Sequence, residues 1–141
     1  MYKCILFFLI NLLFVSRSFS QIASIDIKSP LVKKIAFKSI VSKDDKEMYN
    51  KCIRWKLSYK DVYKVFSLVT PITSEEKAGL YNWLPCYFRA KVIYKGCIYT
   101  MEINAASFLV LYNKKSTLYF GCSSSACERF FVLAGGNASS D

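Results

Sequence analysis

The chain has 141 residues and a formal net charge of +10, with 53% hydrophobic, 21% charged and 16% aromatic residues. That length holds one ordinary domain, and the hydrophobic content excludes a chain kept disordered by low hydrophobicity. Five glycines and three prolines exclude collagen-like and low-complexity classes, and the absence of histidine removes His-based triads, His metal sites and histidine acid–base catalysis.

Residues 1–20 read as a signal peptide. Lys3 gives the positive start, Ile5–Val15 is an apolar run broken only by Asn11, and Ser16, Ser18 and Ser20 give a small-residue end before Gln21. The run is shorter than the roughly 20 residues a spanning helix needs, so cleavage after Ser20 is expected over an uncleaved anchor. Cys4 precedes the apolar run, which excludes a lipoprotein box. Cleavage removes Lys3 and Arg17 and no acid. The remainder is long enough to bury a core and has no second run of this kind, so no stable membrane span is expected after cleavage.

Gln21–Ser29 reads as a loose lead-in. Val32–Val41 alternates in part, with Ile35 and Phe37 on one side and Lys34 and Lys38 on the other, as a strand with one wet face does. Ser42–Glu47 reads as a polar connection that puts Asp44, Asp45 and Glu47 in a wet loop. Tyr49–Leu57 alternates again through Ile53, Trp55 and Leu57 and is assigned to a second strand. A helix running back to Asp44 competes, because Lys, Glu and Met are good helix formers. Ser58 then stands as an N-cap with Asp61 at N3, Leu57 and Val62 form a staple pair, and Val62, Val65, Phe66 and Val69 recur at helical spacing. These predict a helix over Tyr59–Leu68, ended by Pro71. Thr73-x-x-Glu76 opens a further short turn, closed by Gly79.

Tyr87–Ala105 is the most informative stretch. Lys95-Gly96 suits a two-residue hairpin turn. Closing it pairs Tyr94 with Cys97. Phe88 then faces Ile103, Ala90 faces Met101 and Val92 faces Tyr99, all on one face. On the other face Arg89 meets Glu102 and Lys91 meets Thr100. Phe108–Tyr112 and Thr117–Cys122 flank a polar connection and predict a second hairpin. Arg129–Leu133 is a last apolar run. Together these give an α+β fold, an antiparallel sheet of five to six strands with one main helix packed on one face. Residues 21–133 form the single globular domain and 134–141 a flexible tail.

Beyond Cys4 there are five cysteines, Cys52, Cys86, Cys97, Cys122 and Cys127, all candidates for disulfides in an exported chain. Five is odd, so at least one is left free or pairs between chains. In the hairpin register Cys86 and Cys97 stand roughly 25 Å apart, which excludes a bridge between them. There is no CxxC pair, and the spacings lack the short knuckles of zinc sites, so no metal is expected.

No cysteine has a histidine base, and Asn104 does not replace one. The acids are few, and Glu102 already has Arg89 opposite it. No Gly-rich phosphate loop precedes a helix, so no cofactor is expected and no catalytic residue is assigned. The positive charge comes from sixteen lysines and four arginines, with only Lys33-Lys34 and Lys114-Lys115 adjacent. A phosphate-reading surface leans on arginine, so nucleic acid is not expected. An acidic envelope or secreted protein is the partner class this charge suits. Pro85 admits a strand after Trp83-Leu84, and the surrounding aromatics read first as packing. Tyr81, Trp83 and Tyr87 are also the residue types of an exposed binding patch.

The segment WLPCY at 83–87, the hairpin ending MEINA at 101–105 and YFGC at 119–122 resemble small exported bacterial proteins of uncharacterised function, over the C-terminal third of the chain. The resemblance carries no catalytic residues. Size, export and bridges are also those of periplasmic inhibitor and immunity proteins, which is an analogy only. The reading is a non-enzymatic exported binding module of the bacterial envelope, periplasmic or extracellular. The alternatives are a small exported hydrolase using carboxylates such as Glu102, or a structural surface component.

Overall fold

A computed structural model describes residues 24–136, apart from Lys38 and Val41. Residues 1–23, which include the segment read as a signal peptide, and residues 137–141 lie outside the described residues. The elements in chain order are β1 (Ile25–Ile27), β2 (Val32–Ile35), α1 (Lys43–Arg54), α2 (Tyr59–Leu68), β3 (Thr70–Ile72), α3 (Ser74–Leu80), β4 (Cys86–Tyr94), β5 (Cys97–Asn104), β6 (Phe108–Tyr112) and β7 (Thr117–Gly121), followed by a 3-10 helix over Ser125–Phe130. The fold is α+β, with one antiparallel sheet of seven strands in the order β1-β4-β5-β6-β7-β3. β2 lies beside β1 on the same free side of β4.

The β4–β5 hairpin has the expected register, from Tyr94↔Cys97 through Arg89↔Glu102 to Tyr87↔Asn104. Lys95 and Gly96 both take positive φ, 49° and 76°, as a type I′ turn matched to the strand twist requires. Phe88, Ala90, Val92, Tyr99, Met101 and Ile103 are all buried on one face. β6 and β7 form the second hairpin, pairing Tyr112 with Thr117.

Three short stretches differ from the expectation. Ile25–Ile27 is a strand, not a loose lead-in. Ile25 is buried opposite Tyr94, but three residues are too few for alternation to be read. Thr70–Ile72 is an edge strand pairing β7, where Pro71 owes no ladder bond on its outer side. These two additions raise the sheet above six strands. α3 runs through Gly79 and ends against Tyr81, and its N-terminus is the Thr73–Glu76 capping box.

The larger correction is at Tyr49–Leu57. Lys43–Arg54 is a helix, so Asp44, Asp45 and Glu47 lie on α1 and not in a loop. The Ser42 hydroxyl accepts from Asp45 N–H at 3.0 Å, and the Asp45 carboxylate accepts from Ser42 N–H at 3.0 Å. Asp44 and Asp45 suit the positive end of the helix dipole, Lys51 and Arg54 the negative end, and Lys51 pairs with Glu47 one turn back. Trp55 and Leu57 are buried in the extended link after the helix, whereas Ile53 is exposed. The apparent alternation therefore spans a helix end and a linker.

α2 follows as expected, with the reciprocal Ser58–Asp61 box and with Val62, Val65 and Phe66 buried. Its Phe66 ring sits edge-on to Tyr94 at 5.6 Å, and Trp55 packs on Phe88 at 4.8 Å. The Trp55 indole donates to Phe130 O at 2.8 Å. α1 and α2 therefore close one face of the sheet.

Two disulfides fix this arrangement. Cys52–Cys86 ties α1 to the start of β4, and Cys122–Cys127 closes the loop after β7. Cys97 is the odd cysteine, free and exposed beside the hairpin turn. Two bridges suit a chain that folds in an oxidising environment, such as an exported protein meets. Among the described residues no helix is long and apolar enough to cross a membrane.

Candidate binding face

Strand alternation sends every second side chain to the sheet face opposite α1 and α2. The pairing aligns them in rows. One row runs Val32, Arg89, Glu102, Val110, Tyr119, Ile72 from β2 to β3. The next runs Lys91, Thr100, Tyr112, Thr117, and beyond it Ile93 faces Ile98. In these rows Val32, Lys91, Ile98 and Thr117 are exposed and the others half-buried.

One end of this face is closed. α3 packs toward β7, and Tyr81 is buried to 7% against Phe108 and the backbone of Gly121, Gly135 and Gly136. Gly136 N–H donates to Leu80 O at 2.9 Å, so the first residues after Leu133 are packed here. Tyr81 therefore serves the core and is not an exposed anchor, and burial raises its pKa above 10.0. Of the other two aromatics in that candidate patch, Trp83 is 57% exposed and Tyr87 is half-buried on the open face. Asn104 holds their approach. Its buried amide accepts from Leu84 N–H and Ala106 N–H and donates to Leu84 O at 2.8 Å.

The centre of the face is an ion pair. One Glu102 carboxylate oxygen accepts from Arg89 Nε at 2.9 Å, Arg89 Nη2 at 2.6 Å and the Tyr112 hydroxyl at 2.8 Å. The Arg89 guanidinium also stands 5.3 Å from the Tyr87 ring. The bonds to Glu102, foremost among the causes, raise the Arg89 pKa above its ordinary value. Burial first, then the bond to Glu102, raises that of Tyr112. The sheet strands carry one other acid, Asp26, which pairs with Lys28 and lies opposite Ile93. Glu102 thus has no carboxylate neighbour within the strands and is engaged in holding three strands together.

The hairpin register makes Arg89–Glu102 legible in the sequence, but not Tyr112. Its part in the network depends on how β6 pairs β5, and no charge pair marked that register. Among the described residues no group of three or more Cys, Asp or Glu is disposed to hold a metal. No protein-family model matches the chain, and neither curated proteins nor solved structures yield a match.

Proposed function

We propose that the chain is exported through its N-terminal signal peptide and acts in the bacterial envelope, periplasmic or extracellular, as a non-enzymatic module that binds an acidic protein partner. The observation that carries this reading is the open sheet face. It sets Tyr87, Tyr112 and Tyr119 among Ile93, Val110 and the Arg89–Glu102 pair on strands of one sheet. Tyrosine and arginine are enriched where partners dock, because they offer large contact area with a polar handle. Four bridged cysteines hold that face in an oxidising compartment. The tying of Glu102 to Arg89 and Tyr112 favours this reading over hydrolysis.

The test is recovery of the exported chain with its partner. Stoichiometric copurification of one acidic envelope protein, lost on Tyr119→Lys and kept on Tyr63→Lys of α2, supports the reading. Tyr63 is exposed on the helical side. Failure to capture a partner under crosslinking from either face overturns it.

A further inference from the structure

The open face is not uniform. Its β2–β4 side carries a shallow groove where the chain leaves β1 and returns as β2. Lys28 N–H donates to Lys91 O at 2.8 Å, and Lys91 N–H donates to the Ser29 hydroxyl at 2.7 Å. Lys28–Leu31 is thereby pinned against β4, and Ser29-Pro30 form one wall. Val32, Lys34, Arg89, Lys91 and Thr100 line the rest.

The charge here is one-sided. Arg89 is satisfied by Glu102. Among the described residues the Lys91 ammonium bonds only the Thr100 hydroxyl, at 2.7 Å, and Lys34 pairs with no carboxylate. Two lysine ammonium groups, on adjacent strands and flanking the neutralised Arg89, thus face solvent. Val32, 44% exposed, and Pro30 add apolar surface between them.

We propose that this groove binds an extended acidic protein segment, with carboxylates on Lys34 and Lys91 and apolar side chains over Val32 and Pro30. Charge complementarity names the occupant. A phosphate or sulfate polymer is gripped best by free arginine forks, and the one arginine here is taken by Glu102, which also repels a dense polyanion. Lysine point charges beside aliphatic surface suit carboxylate side chains interspersed with apolar ones. The proposal rests on the binding-module reading and specifies which part of the open face recognises the partner.

The probe is a fluorescent twelve-residue peptide of alternating glutamate and leucine, titrated against the disulfide-bonded chain at two salt concentrations. Lys34→Glu/Lys91→Glu is compared with Lys46→Glu/Lys64→Glu, which makes the same charge change at exposed sites on α1 and α2. The expected result is a loss of about tenfold or more in affinity for the groove variant, under about twofold for the helix variant, and weaker binding at higher salt. Equal losses in both variants overturn the proposal, since net charge alone then acts. Tighter, groove-dependent binding of inorganic polyphosphate also overturns it, in favour of a phosphate polymer. If Tyr119→Lys abolishes capture of the native partner while the groove variant keeps it, the groove assignment fails and the binding-module reading stands.

Discussion

Arg89 stands directly opposite Glu102 across β4 and β5, and two of its nitrogens share one carboxylate oxygen at 2.9 and 2.6 Å. The pair is partly exposed, with side-chain exposures of 42% and 26%, so water screens it. A double-mutant cycle with Arg89→Met and Glu102→Gln is expected to give a coupling of about 0.5–1 kcal/mol by urea denaturation. Tyr112 adds a pH dependence at the alkaline end. Its raised pKa means that its contribution is complete below the unfolded phenol value and is lost as pH rises through the higher folded value. Tyr112→Phe, which removes the hydroxyl's bond to Glu102, is therefore expected to lower stability at neutral pH by about 0.5–1.5 kcal/mol and to flatten the alkaline limb of the stability curve.

Ser58 and Asp61 satisfy each other's groups at the start of α2, with Ser58 N–H donating to the carboxylate at 2.8 Å and Asp61 N–H to the hydroxyl at 3.1 Å. Ser58→Ala is expected to cost about 1 kcal/mol at neutral pH, measured by chemical denaturation. The bonds from Ser58 hold the Asp61 carboxyl below its ordinary 3.8. Its contribution is thus present above the unfolded pKa and is lost as pH falls through the lower folded value. The difference between wild type and Ser58→Ala should accordingly narrow on acidification past that value.

The same box, Ser42-x-x-Asp45, opens α1, yet only the second was legible in the sequence. At Ser58 the cap is followed by Val62, Val65, Phe66 and Val69 at helical spacing. At Ser42 it is followed by a charged helix whose inward side is Met48 and Cys52, too sparse a stripe to outweigh the alternation of Ile53, Trp55 and Leu57. The β4–β5 hairpin was legible because turn, apolar face and charge pair agreed on one register. The open face was legible only within that hairpin. The second hairpin was expected, but Tyr112 and Tyr119 come to the face through the pairing of β6 with β5, and the Ser29 wall through the return from β1 to β2, neither of which the sequence marks. Tyr81 misled because a tyrosine before an exposed tryptophan gives no sign that three glycines far along the chain make room for its ring.

Alkylation of the unreduced chain from Gln21 onward is expected to add one label, on Cys97, and reduction to release four more thiols, by intact mass. The two bridges should differ in worth. Cys52 and Cys86 are 34 residues apart, and removing both thiols with serine is expected to cost about 3–4 kcal/mol. Cys122 and Cys127 are five apart, and the same change there should cost about 2 kcal/mol. Paired urea transitions of the two double variants check the order.

Gly121 lets β7 pass beneath Tyr81. A Cβ placed there would overlap the Tyr81 hydroxyl and ring, and β7 cannot withdraw because Gly121 is paired with Phe108 on one side and Thr70 on the other. In an unobstructed strand, alanine should gain stability over glycine by restricting the unfolded chain. Here Gly121→Ala is expected to lose about 1–3 kcal/mol by overpacking. Tyr81→Leu shortens the obstructing side chain and should be destabilising alone, through lost packing on Phe108. The double variant should then be more stable than the sum of the two losses, because the alanine methyl enters space the phenol has left. Strict additivity in thermal or urea unfolding would place the cost of Gly121→Ala in the backbone rather than in the Tyr81 contact.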